Sequence, residues 1–279
     1  MRRYFFALGS AVLLLLATAQ PLVAQPTSAA VAAFDVHTQS VESRLNQQHR
    51  SAGAFVVLPA SDPVSEATRL RRGELIIERL TPSTGAEVSG SLLHHWRGAA
   101  FVPGAKAQDF ERLTQDFKAY PQHFAPQVLQ AALITRSGDR MQASMRVRQQ
   151  HVIPVVMDTS YDITYGRLDS QHGYSSSRST RIAEIGSAGT SSERALNANE
   201  EHGFLWRLNT YWSYEEQDGG LYLQIEAVSL TRAIPHGLGW AIRPYAESIP
   251  RDSLEFTLRS TCNALRKQAP SAVTERTER

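Results

Sequence analysis

The chain has 279 residues, 42% of them hydrophobic and 20% charged, an ordinary globular composition that excludes a disordered or fibrous polymer. Its 29 lysines and arginines face 27 aspartates and glutamates, and two of the arginines, Arg2 and Arg3, sit at the start of an expected leader. What remains carries 27 charges of each sign, so the basic excess of a nucleic-acid binder is missing and no nucleic-acid partner is expected.

Arg2 and Arg3 precede an apolar run from Tyr4 to Ala19, Pro21 breaks it, and small residues follow at Val23 and Ala24. A positive start, a short apolar middle and a small-residue end predict a secretory signal peptide over residues 1–24. The run is short of the roughly 20 apolar residues of a membrane span. The mature protein is therefore expected in the periplasm or outside the cell. No cysteine stands near the leader, so no lipoprotein anchor is expected.

Residues 25–90 read as an N-terminal extension. Val31, Phe34, Thr38, Val41 and Leu45 recur at helical spacing, predicting a helix through 25–50. Ala54 to Leu58 reads as a short strand stopped by Pro59, and Asp62-Pro63 as a turn. Glu74 to Arg79 reads as a second strand, and Pro82, Gly85 and Gly90 as a loop.

The main body spans 91–268. Leu92 to Val102 is strand-like and ends at Pro103-Gly104. A helix follows from Ala107, with Phe110, Leu113 and Phe117 on one face. Tyr120-Pro121 is expected to interrupt it, because a residue before proline is pushed out of helical geometry. A further helical turn ends near Phe124.

Strands then dominate. Val128 to Thr135 leads into the turn Ser137-Gly138-Asp139. Met141, Ala143, Met145 and Val147 alternate with polar residues, the mark of a half-buried antiparallel strand. Ile153 to Tyr165 and Tyr174 to Ile185 continue the pattern, and residues 186–202 form a surface loop. Phe204 to Glu215 and Leu221 to Leu230 flank Asp218-Gly219-Gly220, the clearest hairpin. A long helix closes the chain, with Pro244 and Pro250 expected to interrupt its first part and Ser248 to cap its second. Its buried face should carry Leu254, Leu258, Thr261 and Leu265, and residues 269–279 should fray as a polar tail. Cys262, the only cysteine, falls in this helix as a small buried apolar residue, and no intrachain disulfide can form.

The order strand, two short helices, about six antiparallel strands and long helix resembles the START-like or SRPBCC superfamily. Phe101-Val102-Pro103-Gly104-Ala105, leading into Phe110 to Phe117 and then Tyr120-Pro121, is similar to the first strand and helix of polyketide-cyclase-like and coenzyme Q-binding members. The second match is Leu221 to Leu230, Pro235 and the glycine-rich entry to the closing helix around Leu254 to Leu258. The resemblance covers about two-thirds of the chain. It implies an α+β helix-grip fold, a curved antiparallel sheet wrapped around the C-terminal helix, with a lipid, sterol, polyketide or quinone held between them.

An unfilled apolar hollow in such a sheet is a ligand site by default. Its expected liners are Phe117, Tyr120 and Phe124 at the helical gate, and Trp206, Trp212 and Tyr214 on one strand face of the hairpin. Tyr161 comes from the sheet, and Trp240 and Tyr245 from the closing helix. Arg207 and Glu226 are the polar candidates, read as a cross-strand pair, although counting from the turn puts Arg207 opposite position 230.

No metal is expected: nine histidines include no His-Glu-x-x-His, and His94 and His95, adjacent on a strand, point to opposite faces. No Gly-x-Ser-x-Gly elbow or phosphate loop occurs, and Gly237-Leu238-Gly239 lacks the third glycine of a dinucleotide site, so no cofactor is expected. The leading expectation is an exported carrier of a lipophilic small molecule, with transient membrane or envelope contact. The alternatives are a cyclase- or aromatase-like enzyme using Tyr161, Tyr165 or Glu226, and an envelope interaction module docking through residues 25–90.

Overall fold

The computed structural model describes residues 25–58, 63–81, 86–150, 154–233 and 239–268. The leader, the polar tail, Pro59, Pro82 and the side chains of Trp240 and Tyr245 lie outside the described residues. The elements in order are α1 (Ser28–Gln48), α2 (Pro63–Arg71), β1 (Ile76–Arg79), β2 (Ala86–Val88), β3 (Ser91–Pro103), α3 (Ala107–Gln115) and α4 (Tyr120–His123). Then come β4 (Val128–Ser137), β5 (Arg140–Gln150), β6 (Pro154–Arg167), β7 (His172–Gly186), β8 (Arg194–Ala195), β9 (Arg207–Gln217), β10 (Gly220–Arg232) and α5 (Gly239–Gln268).

All described strand pairs are antiparallel and form one sheet in the order β1-β3-β10-β9-β7-β6-β5-β4, with β2 added on β3 and β8 on β7. The β9–β10 hairpin is set by its turn: Asp218 (φ 54°) and Gly219 (φ 72°) are both left-handed, which matches the twist of the flanking strands. This pairs Gly220 with Gln217 and fixes which residues of β10 face which side.

α5 lies against β3 and β10 through Leu254, Leu258, Cys262 and Leu265, all 3% exposed or less. Each such leucine contributes about 1.5–3 kcal/mol by leaving water. Gly98 permits the contact: a Cβ there would stand 2.9 Å from Leu254 Cδ2 and 3.1 Å from Leu258 Cδ2. From β10 to β4 is five strand steps, roughly 24 Å across a flat sheet. Yet α4 touches both β4 and α5, so the sheet curls around the helix.

Four expectations change. Ala54 to Leu58 is no strand: a 3-10 turn covers Ala52–Ala54, and Val57 N–H donates to the Gln224 side chain instead of a strand ladder. A helix, α2, begins at Pro63, where a turn was expected and where no intrahelical donor is lost; Asp62 lies outside the described residues. The break after α3 comes at Asp116 (φ −89°, ψ 75°), not at Tyr120, because Phe117 must turn in to pack on Met141 and Tyr161. Tyr120 itself is helical, held by its hydroxyl donating to Thr114 O at 2.6 Å. Finally, α5 runs unbroken through Pro244 and Pro250, so Ser248 is interior and not a cap; packing of the second half on the sheet outweighs two missing donors.

Candidate functional site: the hollow between sheet and closing helix

Strand alternation gives the sheet two faces. On β10, Leu221, Leu223 and Ile225 point to α5, while Tyr222, Gln224, Glu226 and Val228 point away. The same split runs along β3, with Trp96, Gly98 and Ala100 inward and His95, Arg97 and Phe101 outward.

The inner face does not fill completely. A wide lobe of about 240 Å³ is lined by Tyr120, Phe124, Met145, Met157, Tyr161, Ile163, Tyr165, Trp212, Phe256, Thr257 and Thr261 among others. A narrow lobe of about 150 Å³ lies beside it, lined by Trp96, Leu205, Leu208, Thr210, Trp212, Ala227, Ser229, Thr231, Ile249 and Ser253 among others. Leu205, Leu208, Thr210, Trp212, Ser253 and Thr257 border both lobes, so they form one irregular hollow. Strands donate most of the wall because β-branched and aromatic residues stand upright from a pleated sheet. α5 supplies the floor with hydroxyls folded back onto its own backbone: Thr257 to Ser253 O at 2.9 Å and Thr261 to Thr257 O at 2.8 Å.

The hollow offers little acid–base chemistry. Burial pushes the Tyr161 phenol up, and pushes that of Tyr165 up to about 12. Tyr165 and Tyr120 both donate to Thr114 O, at 3.0 and 2.6 Å. Arg148 is the one charged residue among the described liners, and it borders the wide lobe. Cys262 is 1% exposed, and burial raises its thiol to about 11, so it is not a nucleophile near neutrality.

The aromatic candidates divide. Tyr120, Phe124, Tyr161 and Trp212 border the hollow. Phe117 is buried beside it against Met141, Ala143, Tyr161 and Ile163. Tyr214 is solid core, its ring on Phe110 and its hydroxyl donating to buried Glu111 at 2.7 Å. Trp206 is on the opposite side, packed with Phe34, Val41 and Val228, because it precedes β9 and strand alternation does not reach it. The hydroxylic liners Thr210, Ser229, Ser253 and Thr257 are absent from the sequence-based candidates. Their only signal in the chain is the period they share with apolar and aromatic neighbours.

The Arg207–Glu226 pair does not form. Arg207 is opposite Leu230, as counting from the turn requires, and donates to Trp206 O at 3.1 Å. Glu226 is opposite Tyr211 and Arg97, fully buried on the outer face beneath α1. There it accepts from Arg44 Nη2 at 2.5 Å, His95 Nε2 at 2.9 Å and Gln224 Nε2 at 3.0 Å. With His95 donating from Nε2 to Glu226, its Nδ1 can accept from His37 Nε2 at 3.1 Å. Burial alone would raise the Glu226 carboxyl, but the His95 hydrogen bond and the Arg44 charge outweigh it and hold the group below its ordinary value. Glu226 therefore takes no part in the hollow.

Around this network the segment before β3 covers the outer face. Ala30, Phe34, Val41 and Leu45 of α1 pack on Val228 and Leu230. His49 bonds Ser213 Oγ at 2.7 Å and stacks on Tyr174 at 4.3 Å. A separate polar cleft of about 580 Å³ lies outside the hollow, lined by Glu111, Arg112, Arg136, Asp139 and Arg167 among others. Several of its charges are already paired: Arg167 with Glu111, and Arg112 with Asp109. Among the described residues no cluster of His, Cys, Asp and Glu could hold a metal ion, and no helix is long and apolar enough to cross a membrane.

A curled antiparallel sheet gripping a C-terminal helix over an apolar hollow is the START-like, helix-grip arrangement. No protein-family model and no curated protein matches the chain. Solved structures do. Human StAR-related lipid transfer protein 5 matches with a TM-score of 0.51 at 9% identity, over 86% of this chain and 99% of that one. A STAR-related lipid transfer protein fragment from Xanthomonas axonopodis matches with a TM-score of 0.42 at 16% identity, over 68% and 98%. The Zhui aromatase/cyclase from a Streptomyces species matches with a TM-score of 0.42 at 15% identity, over 63% and 93%. At such identities the likeness to the human protein is one of fold. The chain has the START-like fold.

Proposed function

We propose that this protein is an exported carrier that holds one lipophilic small molecule between its sheet and α5. The observation that carries the reading is the two-lobed hollow, walled by Phe124, Met145, Ile163, Leu208, Trp212 and Phe256 and containing no paired acid and base among its described liners. Apolar surface left unfilled in this way costs stability, and a ligand that covers it offsets the cost. The human protein of similar fold is named as a lipid transfer protein, which supports the same class. Export is supported by Arg2-Arg3 and the apolar run from Tyr4 to Ala19.

Native mass spectrometry of the protein purified from its own cell envelope tests the cargo, and the mass of the mature chain tests the leader. The expected result is an extra mass removed by organic extraction, on a chain lacking residues 1–24. A chain that neither carries a lipophile nor takes up a fluorescent one saturably would overturn the carrier reading.

A further inference from the structure

The two lobes differ in what they ask of a ligand. In the wide lobe several polar groups are already satisfied: Thr159 donates to Met145 O at 3.0 Å, Thr261 to Thr257 O at 2.8 Å, and Tyr120 and Tyr165 to Thr114 O. Arg148 and the shared Ser253 also border this lobe, but most of its wall is apolar, and a hydrocarbon body fits. The narrow lobe is different. Trp96, 8% exposed, lines it with an indole Nε1–H that is buried and has no hydrogen-bond partner among the described residues. Ser253 lines the same lobe from α5, and its buried hydroxyl is likewise unpartnered among them, although a helical serine can ordinarily bond back to its own backbone. A buried polar group left unmet costs about 1–3 kcal/mol, so two in one small space need a reason.

The indole can only donate, and the serine hydroxyl can donate too, so the missing partner is an acceptor. Among the described residues no charged side chain lines the narrow lobe; Arg79 packs on the Trp96 ring, 4.7 Å from its centroid, but is not one of the lining residues, so a carboxylate or phosphate in the lobe would lack a counter-ion in direct contact. A neutral oxygen meets both requirements. We propose that the Trp96 Nε1–H and the Ser253 hydroxyl hold the carbonyl or hydroxyl oxygen of a neutral lipophile whose hydrocarbon body fills the wide lobe. This assigns a polar-end site and a ligand class (ketone, ester or alcohol), and it rests on the carrier reading above.

The test uses two probes of similar bulk on the mature protein. One is prodan, a naphthyl ketone whose emission moves to the red when its carbonyl accepts a hydrogen bond. The other is a dialkylnaphthalene with no oxygen. Wild-type protein is expected to bind both, with prodan emitting as a hydrogen-bonded ketone. Ser253→Ala and Trp96→Phe should each weaken prodan by roughly tenfold and shift its emission to the blue, while the hydrocarbon binds as before. Ser253→Ala is the gentler change and decides the matter if Trp96→Phe does not fold. Variants that bind prodan with unchanged affinity and emission would overturn the polar-end site and leave the carrier reading standing. A naphthoate that binds more tightly than prodan would overturn the neutral class. Wild-type protein that binds neither probe would sink both the site and the carrier reading.

Discussion

The same strands present two faces that manage polar groups in opposite ways. On the outer face Glu226 is wholly buried, yet each of its oxygens meets a donor, and α1 lies over it as a cover. On the inner face the indole Nε1 of buried Trp96 and the buried hydroxyl of half-buried Ser253, on the facing α5, are unmet among the described residues, with open volume in the lobe they line. A residue and its neighbour on a strand belong to different faces, so His95 serves the closed network and Trp96 the hollow. A face completed by its own chain is structure. A face left incomplete, with space, is where a second molecule belongs.

The strongest way to break this comparison is to open the outer network. Glu226→Ala leaves exposed Arg44 and the buried His95 and Gln224 without their acceptor, and each buried donor left unmet typically costs about 1–3 kcal/mol. Urea denaturation should show that loss with lipophile uptake intact in whatever remains folded. A loss below about 1 kcal/mol would mean that α1 does not depend on the network.

Acid probes the fold through His94, which is 2% exposed and held down to about 4 by burial and the nearby charge of Arg79. Its folded value lies below the ordinary 6.5, so the unfolded chain binds the extra proton in between. Its contribution is complete above about pH 6.5 and falls away toward pH 4, by on the order of 2–3 kcal/mol. Thermal unfolding followed across that window should show the drop, and His94→Gln should flatten part of it. Glu226 adds a further loss at the acid end, because its folded carboxyl is held below its ordinary value.

Filling the hollow sharpens the contrast. Thr210 borders both lobes and is half-buried. Thr210→Leu should change stability by no more than about 1 kcal/mol, because there is room, while weakening uptake of a fluorescent lipophile about tenfold or more. Equal uptake by the variant would show that the space is not the binding site. The smallest effect belongs to the edge of the outer face. Glu42→Gln removes the charge facing half-exposed Arg178 at 2.7 Å and should cost only about 0.5–1 kcal/mol by denaturation.

Much of the fold was legible because its signals are periodic and local. The alternation of Met141, Ala143 and Met145 names one face of β5, and Asp218-Gly219 sets the hairpin register without reference to any other element. The spacing of Leu254, Leu258, Thr261 and Leu265 names the buried stripe of α5. α2 was missed because a single buried residue, Leu70, anchors it and its start resembles a turn. The site was half legible. Tyr120, Phe124, Tyr161 and Trp212 follow from period and element order. Trp206 did not, because it stands outside the strand whose alternation was extended to it. Glu226 stood out in the sequence as a charge inside a strand but was given the wrong partner, since Arg44 is 182 positions away and only packing brings it near.

The order of elements, the hairpin register and the apolar stripe of the closing helix were written in the chain, because each depends on residues within a few positions of one another. Which face α1 would cover, which polar atoms would find partners and where volume would stay open were decided only when distant elements packed. Those outcomes depend on the sizes and reaches of side chains meeting across the sheet, and no local pattern encodes them.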